Sequence, residues 1–471
     1  MKRFRHVLRT LSVLPFLAAA LLLSGCGKVL PPAYRVDLEI WGTIDDSDAY
    51  QAAMGEYQNT AKAHIGSVSY RKKTPETYRE DLLNAFAEGN GPDMFFIRSS
   101  WLPLFKNLIV PAPEYQTSEK EFRDAFVDVA ADDLVVNGKM YGVPMSVDSL
   151  SLYYNKDLFN AAGITTPPTT WGELVADARL LNSIDYYGNI RQSAISLGTA
   201  KNINRSTDIL LAMANQYGLR ARANGFSDEM NVSSDPMRNA LSFYSGFSSI
   251  GSDRYSWNAD QHYSVDAFYE GNLAMMINYS WQMDAIRKKN AKLNFGVASL
   301  PQLNTAAPSN YANYWVLVVA KDKKAPASSS GKVTFPVAKY NDIRIHESWQ
   351  FLHYLAYPHP GMREILRNAL APDSAVEVVL KNDPAKEYVV KTGQPAARRD
   401  LIEEQKKDPW MAPFAVGNLI ARDWRVGEVE AAEGILADAI ESVNRGEVVV
   451  QQALSIASTQ IDKLQRKASS E

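Results

Sequence analysis

NGKMYGVPMSVDSLSLYYNKDLF, residues 137–159, decides the fold. Asn137-Gly138-Lys139 makes a turn, Tyr141 to Pro144 leads a strand out of it, and Leu150, Leu152 and Tyr154 alternate so as to bury one face of a further strand before a helix begins. A second stretch of the same kind is FYEGNLAMMINYSW, residues 268–281. There Glu270-Gly271-Asn272 is a turn, residues 273–278 form a buried strand, and Tyr279 and Trp281 fall at its end.

N-terminal to the first stretch, VDLEIWG (36–42) reads as a buried strand, residues 47–62 as a helix, and Val68 and Tyr70 as part of a second strand. A helix is expected to open at Thr74 and Pro75, to carry Leu82, Leu83 and Phe86 on one face, and to stop at Gly89. Residues 93–97 supply a third strand, so the segment is βαβαβ and implies a parallel sheet flanked by helices. TPPTTWGEL (166–174) is a proline-bounded loop feeding a helix at Thr170, strands are expected at 194–197, 273–278 and 314–320, and residues 321–340 read as a mobile surface insertion. From about His346 to the C-terminus helices are expected to dominate. One continuous α/β texture over a chain of 471 residues fits two lobes better than one core.

The N-terminus carries Lys2, Arg3, Arg5 and Arg9 before an apolar run from Leu11 to Leu23, the layout of a secretory signal peptide. That run is too short for a bilayer-spanning helix and contains Pro15. It ends in Leu23-Ser24-Gly25-Cys26, which resembles the lipobox of bacterial lipoproteins; Cys26, the only cysteine, is then the lipidated residue and no thiol remains for a disulfide. Taking the leader's four basic residues from the 50 Lys and Arg leaves 46 against 53 Asp and Glu, a net charge of −7. No basic block interleaved with aromatics occurs, so nucleic acid is not an expected partner.

Four stretches together, residues 89–101 (GNGPDMFFIRSSW), 137–159, 169–174 (TTWGEL) and 268–281, resemble the family 1 extracellular solute-binding proteins of ABC importers, a maltose-binding-protein-like group. The resemblance implies an α/β, two-lobed periplasmic-binding-protein fold of type II, each lobe a mixed, mainly parallel sheet flanked by helices, with a ligand in the interlobe cleft. On this reading residues 1–25 are the signal peptide and 26–35 a linker. Residues 36–147 with 318–393 form one lobe and 148–317 with 394–468 the other, and the chain crosses near 146–149, 317–320 and 393–396. The implied function is capture of a carbohydrate, an oligosaccharide, by hinge closure and its delivery to membrane permease subunits. A monomer is expected, exported to the cell envelope, anchored through Cys26 and facing the extracellular space or periplasm, with no cofactor and no metal.

A sugar offers apolar C–H faces and a rim of hydroxyls, so its site needs aromatic plates and strong hydrogen-bonding groups. The candidate ligand-binding residues are Trp41, Thr43, Asp45, Asp46, Arg98, Ser99, Trp101, Asp148, Tyr279, Trp281, Trp315, Trp410 and Trp424. Trp281 leads this set; Asp45 and Asp46 also read as charges at a helix N-terminus. Arg98 suits an anion, which leaves a phosphorylated polyol, a peptide or a polyamine as alternative ligands. A secreted carbohydrate-active enzyme is a remote alternative, because the adjacent pairs Asp45/Asp46 and Asp132/Asp133 imply no opposed geometry and the HExxH, GxSxG and GxxxxGK[ST] motifs are absent. An adhesive surface lipoprotein would show a cleft filled by its own side chains.

Overall fold

The computed structural model describes residues 34–326 and 336–470, with side chains through 466. The expected signal peptide, Cys26 and residues 26–33 of the expected linker lie outside the described residues, as does the centre of the expected insertion, 327–335. Tyr34, assigned to the linker, is instead a core residue: it is fully buried, and its hydroxyl donates to Glu347 and accepts from the Ala369 N–H.

The chain opens with β1 (Val36–Gly42), α1 (Asp48–Thr60), β2 (Ile65–Lys72), α2 (Tyr78–Glu88) and β3 (Met94–Arg98). β1 pairs in parallel with both β2 and β3, as βαβ crossovers require. α2 begins three residues later than Thr74-Pro75 suggests, because Tyr78 is buried and its hydroxyl donates to the carbonyls of Trp41 and Phe96, 3.0 and 2.7 Å away. Leu82 is buried, whereas Leu83 is 42 % exposed; one residue turns a helix by about 100°, so the two do not share the core face. Gly89 ends the helix at φ 75°, where a side chain would be strained.

Beyond the two-residue strand β4 (Val143–Pro144) the chain forms β5 (Asp148–Ser149) and β6 (Ser151–Asn155). α3 (Trp171–Leu181) starts on a capping box in which Thr170 and Glu173 satisfy each other's backbone N–H. β7 (Ser183–Ile184), β8 (Ile190–Ile195), α4 (Ser206–Gln216), β9 (Leu273–Asn278), β10 (Phe295–Ser299), β11 (Asn310–Asn313) and β12 (Trp315–Val319) follow. Two five-stranded sheets result, ordered β2-β1-β3-β12-β4 and β10-β6-β9-β8-β7. β9 is buried along its whole length, as is β6 apart from Tyr154. Both faces of these two central strands are covered, so a near-continuous apolar strand is stable there.

Between the sheets lies a third, made of β5, β11 and the short β15 (Ala421–Arg422, numbered after a hairpin described next), together with an antiparallel bridge from Ser146 to Ala396. The crossings expected at 146–149 and 393–396 fall at this seam. The one expected at 317–320 does not: Leu317 pairs with Phe96 and Val143 inside the first sheet, and the chain passes over at 310–314 instead. The uninterrupted apolar run WVLVV needs two covered faces, which a crossing segment lacks.

Helices dominate from about His346 onward, interrupted by a hairpin that the sequence does not announce. α5 (Tyr340–Ala356) starts before that point and a hairpin of β13 (Arg363–Asn368) and β14 (Ala371–Val379) follows it. Buried Glu364 of β13 ties the hairpin to the helix: it lies 3.1 Å from His353 Nδ1 and 3.0 Å from His359 Nδ1, while His353 Nε2 reaches Glu121 at 3.3 Å. Burial alone would lower the His353 pKa, but its hydrogen bonds with Glu121 and Glu364 raise it to about 9. Burial would likewise raise that of Glu364, and the two histidines bring it down to about 2.

A raised histidine contributes stability that is complete below its unfolded pKa near 6.5 and disappears as pH climbs through about 9. A depressed carboxylate contributes above about pH 4 and loses that contribution as pH falls through about 2. Urea midpoints measured across pH should therefore fall on both sides of neutrality, and His353→Gln should flatten the alkaline fall.

Candidate functional site: the cleft between the sheets

A cleft of about 850 Å³ opens between the two sheets. Its walls are built from strand ends and the loops after them, where open α/β sheets place ligands. From the first sheet come Asp45 and Asp46 after β1, Arg98 at the end of β3 and Trp315 at the start of β12; Asp148 comes from β5 at the seam, and Arg205, Trp281 and Arg287 from the side of the second sheet, with Trp410 from the C-terminal region.

Trp281 is 42 % exposed, and its inner face stacks on buried Tyr279 at 4.6 Å and 21°. Tyr279 is itself fixed by a 2.9 Å hydrogen bond to Asp208. Trp410 packs edge-on against Phe295, with the Arg287 guanidinium 4.6 Å above its ring. Trp315 meets Trp101 edge-on at 5.5 Å. Each plate is thus held by a neighbour, which reduces the entropy a ligand must overcome on stacking.

Of the candidate residues, Asp45, Asp46, Arg98, Asp148, Trp281, Trp315 and Trp410 line this cleft. The other six do not. Trp41 is buried beneath Lys73, whose Nζ lies 3.8 Å from the ring centre. Thr43 and Trp424 are buried. Ser99 turns its hydroxyl to Asp423, Trp101 sends its indole N–H to Glu430, and Tyr279 supports Trp281 from beneath. Arg205, Arg287, Asn313, Gln394 and Asp408 line the cleft without having been singled out from the sequence. Asn313 ends the four-residue β11, Arg287 lies in the last turn of the helix Gln282–Lys289, Arg205 precedes a helix, and Gln394 and Asp408 lie in loops, positions that carry no periodic signal of a cleft.

The carboxylates here are engaged by the protein. Asp45 accepts from Tyr50, Tyr388 and Gln394 at 2.6, 2.8 and 3.0 Å; burial raises its pKa and these three donors oppose the rise. Asp46 pairs with Lys72 at 2.8 Å. Asp148 accepts from the Ser280 N–H at 2.9 Å, the Ser280 hydroxyl at 2.6 Å and the Ser149 N–H at 2.9 Å. Burial nonetheless pushes the Asp148 carboxyl up to about 7. Among the described residues no group of His, Cys, Asp or Glu is placed to hold a metal ion.

Residues 41–356 match the family described as bacterial extracellular solute-binding protein. The chain belongs to this family. Among relatives of this solute-binding protein is a putative binding protein of Brucella abortus, 28 % identical over 240 residues, which are 49 % of this chain and 55 % of the relative. The chain thus spans about half the length of the first curated relatives it matches. The sn-glycerol-3-phosphate-binding periplasmic protein of Salmonella typhimurium is 26 % identical over 407 residues, 82 % of each chain. Among solved structures, the cyclic alpha-maltosyl-1,6-maltose binding protein of Arthrobacter globiformis superposes with a TM-score of 0.69 at 18 % identity, covering 92 % of this chain and all of that one. The sugar-binding protein of Xanthomonas citri gives 0.68 at 19 % identity, over 92 % and 98 % of the two chains. The fold of this solute-binding protein is therefore the two-lobed type II arrangement.

Because the folded protein holds the Asp148 proton up to about pH 7 and the unfolded chain releases it near pH 3.9, this contribution to stability is largest below about pH 4, falls toward pH 7 and then levels. Denaturation of Asp148→Asn should lack that slope. Asp148→Ala strands the donors of Ser149 and Ser280 and should cost about 1–3 kcal/mol.

Proposed function

We propose that the protein captures a carbohydrate, an oligosaccharide, in the interlobe cleft, closes on it by hinge motion and hands it to the permease of an ABC importer. The observation that carries this reading is the convergence of three tryptophans, Trp281, Trp315 and Trp410, on one cleft from both sheets. Flat aromatic faces suit the C–H faces of sugar rings, and the cleft's volume lies within the range of small-ligand sites. A ligand touching both walls when closed and one when open shifts the population toward closure. Structural relatives described as binding maltotetraose, cyclic alpha-maltosyl-1,6-maltose or a sugar support the same ligand class.

Function without catalysis fits the same site: its acidic groups are hydrogen-bonded or ion-paired to the protein rather than opposed across open space. For the lobes, the proposal is residues 36–147 with 315–393 and 148–314 with 394–468; the boundary expected at 317/318 lies before Trp315 so that β12 stays with its sheet. The extracellular family implies action outside the cytoplasm; anchoring through lipidated Cys26 after signal-peptide removal and a monomeric state complete the proposal.

A phosphorylated polyol is the second reading, favoured by the glycerol-phosphate-binding relative and by arginines in the cleft. Thermal-shift measurements against mono- and oligosaccharides, with glycerol phosphates, peptides and polyamines alongside, separate the two. A saccharide present at a thousand times its Kd should stabilise the fold by about 4 kcal/mol, and Trp281→Ala should remove the shift. Saccharides that leave the melting curve in place while a phosphate or polyamine moves it would overturn the carbohydrate reading.

A further inference from the structure

Two arginines of the cleft are positioned by aromatic rings yet have almost nothing in the protein to bind. Arg205 stands just before α4 with its Nε buried and unpartnered, and its side chain makes no hydrogen bond or ion pair among the described residues. Its backbone is left-handed, φ 64°, a conformation that a residue other than glycine adopts at a cost and that recurs at ligand sites. The guanidinium lies 5.4 Å from the Trp281 ring centre and 5.9 Å from that of Tyr279.

Arg98 repeats the arrangement on the other wall. Its guanidinium lies 5.6 Å from Trp101 and 5.9 Å from Trp315, its Nε is likewise buried without a partner, and its one ion pair among the described residues is to half-exposed Glu430 at 3.5 Å. Rings against a guanidinium face leave its N–H edges free. A part-buried cation with idle donors is costly, and closure of the lobes would bury it further. Two buried carboxylates that both arginines attract are weak counter-charges: burial raises the pKa of Asp208, whose Oδ2 also accepts from Tyr279, and raises that of Glu433 to about 7, against the opposing pull of Arg98 and Arg205.

We infer that the cleft grips an oxyanion, a carboxylate or a phosphate carried on a hydroxylated ligand, between Arg98 of one lobe and Arg205 of the other. The forked donors of arginine match such a group two bonds at a time, whereas a neutral hydroxyl leaves most of them idle. The inference rests on the carbohydrate reading for the ligand's hydroxylated part only. An acidic oligosaccharide and a phosphorylated polyol share the chemistry that it requires.

Calorimetric titration of the purified protein tests it with four probes: a trigalacturonate, the neutral galactotriose, sn-glycerol 3-phosphate and glycerol. The acidic member of at least one pair should bind about tenfold or more tighter than its neutral partner. Arg98→Gln and Arg205→Gln should each abolish that preference, with Arg→Lys at either site keeping part of it, and an unchanged melting temperature without ligand shows that a variant has folded. Preference for the uronate alone identifies a carboxylate. Preference for glycerol phosphate with no saccharide bound identifies a phosphate, and there the oligosaccharide reading falls while the oxyanion site stands. A neutral saccharide binding as well as its acidic partner overturns the oxyanion site and leaves the carbohydrate reading intact. Acidic probes that do not bind, or a preference untouched by substitution of either arginine, also overturn it.

Discussion

Everything else in this molecule depends on getting polypeptide across the seam between the two sheets without leaving main-chain polar groups unpaired. Buried N–H and C=O groups must find partners, and a crossing segment has left the ladder that would supply them. Here side chains stand in. Asn418 donates to the carbonyls of Val147 and Ala396, Asn310 donates to that of Leu150, and Asp148 accepts from the backbone of Ser149 and Ser280. Gly417 presses against the Ser149 hydroxyl and the Asn310 amide, where a Cβ would come within 2.4 and 2.7 Å. The seam is therefore specified by short polar side chains and one glycine, and a larger residue at 417 would push apart the strands that line the cleft.

That dependence explains which parts of the sequence are legible. β3, β9 and β12 are apolar over most of their length and buried almost throughout, and β1 alternates before its apolar end, patterns that announce themselves without any structure. Thr170 with Glu173 and Gly89 mark helix ends by local chemistry alone. The seam leaves a weaker trace: β5 and β11 hold two and four residues, too few for a period, so the middle crossing is misplaced by a few residues onto the stronger apolar strand beside it.

The hairpin of β13 and β14 eludes sequence reading for a different reason. Its outer strand is mostly exposed and mixes alanine, acids and valine, a composition that helix tolerates as well, and what holds β13 in place is the pair of histidines meeting Glu364 from other elements. The cleft is legible in proportion to how closely its residues follow a strand. Trp281, Trp315 and Arg98 are placed by β9, β12 and β3, whereas Arg205, Arg287 and Asp408 come from segments whose path is set by tertiary packing. Trp41, Thr43 and Trp424 have the right chemistry and the wrong orientation, a distinction that side-chain type cannot carry.

Placing the cleft groups just beyond strand ends separates two jobs along each strand. The apolar interior of β9 holds its sheet together, while Tyr279 and Trp281, one and three residues past its end, meet the cleft or support what does. Substitutions at such terminal positions alter what the cleft recognises while the buried register survives. A lineage built this way can change the solute it binds without rebuilding its sheets, and divergence in ligand should therefore run ahead of divergence in architecture.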